Sequence, residues 1–288
     1  MRRASRGARI GEYMTVTNAV ETTMIWGTVS GASMVGMVIS LLLSVVLPIF
    51  LGIFIYKKTK AWVPAFFIGC GIFVGFAMIL EQICHAIVLT VTGSAIRDNI
   101  WLYAIYGGLA AALFEECGRW IAMKFCLKKH LTRENALMYG AGHGGIEAFL
   151  ILGMSSMSNL LTAAMINGGL MEKTMTALEP AQQEVTYHQL SVLWTTPAYQ
   201  FYLAPVERIS AIALQIALSI LVYSAVKTGR KLHLAAAFGL HFAVDFLTVI
   251  CAAAIPTWAL ELGLLLVVAV ICVVVYQLVY VQMAEKKA

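Results

Sequence analysis

Seven long apolar runs dominate this chain and limit what it can fold into. A helix needs about 20 apolar residues to cross about 30 Å of hydrocarbon, and each of the runs is long enough. We therefore predict an all-α fold, a polytopic transmembrane helical bundle that forms one domain over residues 33–282. The predicted membrane helices cover residues 33–56, 62–92, 101–127, 134–158, 200–226, 232–254 and 256–282.

The composition agrees with burial in a bilayer. Hydrophobic residues make up 60% of the 288 residues and charged residues 12%, whereas about 25% of the residues of a soluble protein are charged. The six cysteines lie in apolar runs without a Cys-x-x-Cys pair, which is typical of small buried side chains. A soluble enzyme and a nucleic-acid-binding protein are excluded, and the lipid bilayer is the first predicted partner.

The basic residues of the connections predict the orientation. Lysine and arginine cluster after every second run, in residues 57–60, 128–133, 227–231 and 286–287. Because basic loops face the cytoplasm, we predict a multi-pass plasma-membrane protein with a cytoplasmic tail at 283–288. The N-terminal arm, 1–32, and the 159–199 connection, which we interpret as a cap, then lie outside. Four arginines of the arm oppose this orientation, but they precede the first run by more than 20 residues, where the charge bias weakens; they are Arg2, Arg3, Arg6 and Arg9.

Ionisable residues inside three of the runs are the strongest functional signal, because a charge in the bilayer is costly and usually has a role. They are Glu115, Glu116 and Arg119 in the third run, His143 and Glu147 in the fourth, and His241 and Asp245 in the sixth. Each run holds an i, i+4 pair, whose side chains share one helix face. At about 1.5 Å per residue from the cytoplasmic ends, all of them fall in a layer about 12–20 Å deep. A shared depth predicts a site built from several helices.

These residue types predict activation of water for hydrolysis. Glu115 or Glu116 would act as the general base, and His143 and His241 would orient water or stabilise an oxyanion. Arg119 would keep a glutamate ionised, and Asp245 would support His241. The alternative is zinc, for which the candidate ligands are His143, Glu147, His241 and Asp245. We favour the metal-free mechanism and leave the zinc mechanism open.

Two other functions use the same residues. A proton-coupled transporter could use the acids and histidines as a relay, and a non-catalytic protein could use them to specify helix pairing. A second polar layer nearer the outside contains Glu81 with His85 and Glu207 with Arg208. At about 28–30 Å from the cytoplasmic ends, this layer is interpreted as interfacial pairing that supports the cap, with support of the site residues or substrate entry as the alternative.

The three motifs Glu-Glu-x-x-Arg, His-x-x-x-Glu and His-x-x-x-Asp, in this order on successive membrane helices, resemble the YhfC family of predicted intramembrane proteases. That family is related to the CAAX-processing and bacteriocin-processing endopeptidases and to the PrsW protease. The resemblance covers most of the chain. It implies that Glu115 and Glu116 activate water, with His143 and His241 assisting, to cleave a membrane-embedded or membrane-proximal peptide.

The chain also departs from the larger group. Only Cys117 and Gly118 separate the paired glutamates from the arginine, as in the Glu-Glu-x-x-Lys pattern of PrsW, where the CAAX enzymes have three residues. Tyr139 stands in place of a phenylalanine, and Glu147 has no counterpart in the CAAX motif. Prenylated substrates are therefore not implied.

Overall fold

The computed structural model describes residues 24–285, which form helices and no strand. Seven helices are long and apolar enough to span a membrane, and two shorter helices connect the fourth to the fifth. The spanning helices are α1 (Gly31–Thr59), α2 (Pro64–Thr92), α3 (Ile100–Cys126), α4 (Arg133–Asn167), α7 (Ala198–Thr228), α8 (Lys231–Ala252) and α9 (Thr257–Val281). The connecting helices are α5 (Leu170–Met175) and α6 (Pro180–Thr195). The all-α prediction is confirmed, and the protein is a multi-pass membrane protein.

Local sequence explains where the helices begin and end. The side chains of Ser30, Asn99 and Thr132 accept hydrogen bonds from backbone N–H groups in the first turns of α1, α3 and α4. Helix α7 ends at Gly229, whose φ of 74° is a conformation that glycine adopts without strain. These caps fix the short connections, which hold neighbouring helices antiparallel.

The fourth spanning helix is longer than predicted. It continues to Asn167, so the Leu160–Met165 stretch belongs to α4 and not to the cap. The first strong helix breaker is the Gly168–Gly169 pair, where Gly169 has a φ of 68°. The Asn167 side chain also accepts a hydrogen bond from the Val29 N–H and donates one to the Val29 carbonyl, which ties this end of α4 to the start of α1.

Helices α5 and α6 cover the end of the bundle where α1 begins. Leu193 of α6 packs with Val29, Met37 and Ile166 in a small apolar cluster. The aromatic rings of Trp26, Tyr187 and Trp194 lie within 5.8 Å of one another, measured between centroids. The connection is thus a packed cap. Its placement outside the cell stays a prediction from the loop charges.

The bundle is built around α7, the most buried of the spanning helices, which packs against α1, α4, α8 and α9. Helix α4 packs between α2 and α7, and α3 packs against α8. The N-terminal arginines, residues 1–23 in general, and Lys286 and Lys287 lie outside the described residues. The helices that carry the predicted site, α3, α4 and α8, therefore meet around α7.

Candidate active site within the membrane

The close packing of α4 brings His143 to the centre of the bundle. A Cβ atom on Gly142 would overlap the backbone carbonyl of Phe66 in α2, and one on Gly144 would lie 3.0 Å from the Cα of Ile212 in α7. Glycine lets three helix backbones approach at this level. His143, which stands between the two glycines, is consequently fully buried.

The first contact of the site joins α3 to α4. Nε2 of His143 lies 2.9 Å from Oε2 of Glu115, and Nδ1 of the same ring lies 3.5 Å from the hydroxyl of Tyr139. Glu115 is buried as well, with 7% of its surface exposed. The two side chains that the sequence places in different runs are thus direct neighbours.

Gln215 of α7 links the acids of α3 and α4. Its amide nitrogen donates to Oε2 of Glu115 at 2.9 Å and to Oε2 of Glu147 at 2.8 Å. Its carbonyl oxygen accepts a hydrogen bond from the guanidinium group of Arg119. Both polar atoms of the Gln215 side chain therefore form hydrogen bonds with residues of the predicted site.

A second set of contacts surrounds Glu116. Nη1 of Arg119 lies 2.9 Å from Oε1 and 3.2 Å from Oε2 of Glu116, and Nδ1 of His241 lies 2.8 Å from Oε1. Nε2 of His241 is 3.6 Å from Oδ2 of Asp245 and 3.9 Å from Oε2 of Glu115. His241 therefore stands between the two neighbouring glutamates.

Glu115, Glu147 and Asp245 border a cavity of about 360 Å³ between α3, α4, α7, α8 and α9. Its polar walls are formed by Glu115, Glu147, Glu207, Arg208, Gln215, His241 and Asp245, and Gly107 and Gly108 form part of the α3 wall. Asp245 is the most accessible acid of the predicted set, with 35% of its side chain exposed. A substrate could thus contact several catalytic candidates at once.

Three residues of the polar network could hold a metal ion, and two of them, Glu115 and Glu147, line the cavity. One ligand atom each from Glu115, His143 and Glu147 lies within 4.8 Å of the others, and all three residues are buried. Imidazole nitrogen and carboxylate oxygen are ligands that zinc accepts. The predicted zinc set contained His143 and Glu147 but placed the glutamate pair outside, whereas here Glu115 joins the group.

The structure joins all seven predicted site residues in one network of contacts, although the closest partners often differ from the i, i+4 pairs. Arg119 binds Glu116, its i−3 neighbour, and stays 3.9 Å from Oε2 of Glu115. Similarly, His143 contacts Glu115 of another helix. The periodicity placed side chains on the correct face, and packing between helices then selected the partners.

Three polar residues of the network were missed or misinterpreted. Gln215 is uncharged, and only its depth, about 18 Å above Lys227, could have pointed to it. For Arg208 the alternative of a role in supporting the site agrees better with the structure than interfacial pairing, because its Nη1 reaches Oε1 of Glu147 at 3.1 Å, while it also binds Glu207. Glu261 of α9 was missed as well: it is buried, and its Oε2 has no hydrogen-bond partner among the described residues.

Comparison with known proteins places this architecture in a family. Residues 43–272, which contain the whole network, match the model of a family described as YhfC intramembrane metalloprotease. The chain belongs to the YhfC family. A relative named "Uncharacterized membrane protein YhfC" from Bacillus subtilis (strain 168) is 41% identical over 222 residues, which cover 74% of this chain and 83% of the relative. No solved structure matches this YhfC chain.

Proposed function

We propose that this YhfC protein is an intramembrane metallopeptidase that hydrolyses a peptide bond of a membrane-embedded or membrane-proximal protein. The observation that carries the proposal is the buried group of Glu115, His143 and Glu147, of which the two glutamates line a polar cavity. The description of the family as an intramembrane metalloprotease supports the same reaction class. Unbroken spanning helices through the polar layer favour a peptidase over a transporter, for which discontinuous helices are typical.

The charges around the three residues suit a divalent cation. A free guanidinium group at Arg119 would disfavour a nearby cation, but this group is engaged by Glu116 and by the carbonyl oxygen of Gln215. Carboxylates also outnumber guanidinium groups around the cavity and Arg119. The five acids are Glu115, Glu116, Glu147, Glu207 and Asp245, and the two guanidinium groups are those of Arg119 and Arg208. A bound cation would offset this excess of negative charge.

The neighbours of the three residues are suited to orient metal ligands. If Nε2 of His143 faces the metal, Nδ1–H is free to donate to the hydroxyl of Tyr139, 3.5 Å away. Gln215 holds both Glu115 and Glu147 through its amide nitrogen. Such partners fix the orientation of ligands and usually affect metal affinity when they are changed.

A zinc ion held by these residues would polarise the scissile carbonyl and make a nearby water more acidic. We assign the proton transfer to His241, because it lines the cavity while Glu116 holds its Nδ1. With Nδ1–H donating to Glu116, Nε2 accepts a proton from the attacking water and later returns it to the leaving amine. Asp245, 3.6 Å from Nε2, stabilises the protonated ring between these steps.

The metal-free mechanism is the second candidate, because Glu115 is also arranged as a general base. Its Oε2 accepts a hydrogen bond from Gln215 and lies 2.9 Å from Nε2 of His143, so an ionised carboxylate is held in place. In this mechanism His143 positions Glu115, His241 donates to the water or the oxyanion from the cavity wall, and no ion is needed.

Metal analysis together with a cleavage assay distinguishes the two candidates. The purified protein would be placed in liposomes with single-span peptides, and the fragments would be identified by mass spectrometry. We expect about one zinc ion per chain, loss of cleavage when a chelator removes it, and recovery when zinc is returned. Cleavage that persists in zinc-free protein would favour the glutamate mechanism, and the absence of any cleavage with zinc bound would contradict the peptidase proposal.

A further inference from the structure

An apolar groove lies on the lipid-facing side of the bundle where α8 and α9 meet. It has a volume of about 220 Å³ and occupies the half of the membrane nearer the cap. Its walls include Leu247, Cys251, Ile255, Ala259, Gly263 and Val267. A water-soluble extended peptide is a poor occupant, because its backbone polar groups would be left without hydrogen-bond partners on such a surface.

The groove leads into the polar cavity. Val244, Thr248 and Leu264 line both the groove and the cavity that contains His241 and Asp245. Val244 stands directly before Asp245 on α8, so the wall changes from apolar to acidic within one residue. An apolar segment in the groove would therefore lie next to the polar groups proposed to cleave it.

Helices α8 and α9 make few contacts with each other along the groove, and we call this line between them the seam. Helix α8 packs closely on α3, where a Cβ atom on Gly108 would lie 3.1 Å from the Phe242 carbonyl, and α9 packs chiefly on α7. The two helices contact each other far less, although only the short 253–256 connection separates them. Separation of α8 from α9 would disturb neither of the main packing interfaces.

We propose that the seam between α8 and α9 receives a transmembrane helix of the substrate, which approaches sideways through the bilayer. This inference rests on the proposed peptidase function and adds the class of substrate. A helix satisfies its own backbone hydrogen bonds and presents only apolar side chains to the groove. Gly263 provides room for it, since no atom lies within 4 Å of where its Cβ would be.

Another apolar groove is less suitable for this role. It lies between α3 and α8 near the opposite end of α8 and is lined by Trp120, Ala235 and Phe238. It ends at Glu116, which Arg119 and His241 already engage, and it shares no lining residue with the polar cavity. A helix in that groove would meet the supporting glutamate and not Glu115.

Site-specific photocrosslinking tests the seam without requiring hydrolysis. The full-length chain would carry a photoreactive phenylalanine derivative at Leu247, in the groove, and would be placed in liposomes with a single-span peptide of about 20 leucine and alanine residues. The matched control places the same group at Leu262, which is equally exposed, 51% against 52%, but does not line the groove. A third chain carries it at Phe238, in the other groove.

We expect the Leu247 position to give about ten times more peptide adduct than Leu262, the ratio that about 1.4 kcal/mol of binding free energy produces. Gly263→Phe should remove most of this adduct because it fills the groove, while Gly239→Phe, at an exposed glycine of α8 with equally open surroundings, should not. Equal labelling at Leu247 and Leu262, adducts with lipid alone, or stronger labelling at Phe238 would overturn the proposal. If the peptide is cleaved but labels all three positions equally, the seam proposal is refuted and the peptidase function is not. If the peptide labels the seam but is not cleaved, the peptidase function is refuted.

Discussion

Two adjacent glutamates on α3 have very different surroundings. Glu115 borders the polar cavity and contacts His143 and Gln215. Glu116 is turned away from that cavity and is engaged by Arg119 and His241. The difference indicates a division of labour, in which the Glu115 side performs the chemistry and the Glu116 side holds the groups that assist it.

The Glu116 side carries a large desolvation cost. Arg119 is fully buried, and its Nε has no hydrogen-bond partner among the described residues, so its charge depends on Glu116 and Gln215. Removal of one partner of a buried ion pair costs about 3–5 kcal/mol, because the other charge stays buried and unpaired. The contacts of Glu116 therefore matter for folding as well as for orientation.

The largest effect is expected on the Glu115 side, from His143→Ala. The substitution removes a proposed ligand, so zinc binding should be lost and hydrolysis per folded molecule should fall about 10²–10⁴-fold. Zinc analysis measures the bound metal, and the liposome cleavage assay measures hydrolysis. His85→Ala is the matched control, since His85 also lies four residues from a buried glutamate but outside the network. Lost cleavage with zinc retained would show that His143 is not a zinc ligand.

Much of this site could be predicted because charges in apolar runs are rare. Glu115, His143 and His241 stood out by residue type, and helix rise alone placed them at one depth. Partner choice could not be predicted in the same way. Whether Arg119 binds Glu115 or Glu116 depends on where α7 places Gln215, and this is set by packing between backbones far apart in sequence.

The fold, like the site, could be predicted in part: the sequence indicates the membrane helices, whereas features that depend on packing between helices leave no clear signal. Apolar length predicted seven membrane helices, and the structure contains seven suitable ones. The end of α4 was misplaced because Leu160–Met165 suits an interfacial cap as well as a helix; the Gly168–Gly169 breaker and the contact between Asn167 and Val29 place it at the end of the helix. The groove at the α8–α9 seam likewise depends on packing and leaves no signal in the periodicity.

A smaller effect on catalysis is expected from Glu116→Gln. His241 loses its charged partner, so hydrolysis should fall about 10–100-fold, the range for partners that orient a catalytic group, while zinc stays bound. The free energy of unfolding should also fall, because Arg119 loses its counter-charge. Thermal unfolding in detergent and zinc analysis separate these effects. Zinc loss equal to that of His143→Ala would show that the two sides of α3 are not distinct.

Gln215→Leu tests the residue that joins the two sides. It removes the donor shared by Glu115 and Glu147 and the acceptor of Arg119 while leaving every charge in place. We expect zinc affinity to fall about tenfold, at the lower end for residues that orient ligands, with a comparable loss of hydrolysis. A zinc titration of the purified protein measures the first change. Gln200→Leu, near the start of the same helix, provides the control.

The smallest effect is expected from Glu81→Gln in α2. Its carboxylate lies 3.2 Å from Nε2 of His85, whose Nδ1 is 2.7 Å from the hydroxyl of Tyr106, and none of these residues lines the polar cavity. The amide can still accept a hydrogen bond, so stability should change by about 0.5–1.5 kcal/mol, and zinc content and cleavage should stay close to those of the unaltered chain. If Glu81→Gln reduced cleavage as strongly as Glu116→Gln, the layer near the cap would belong to the reaction, and the contrast between the two sides of α3 would no longer account for activity.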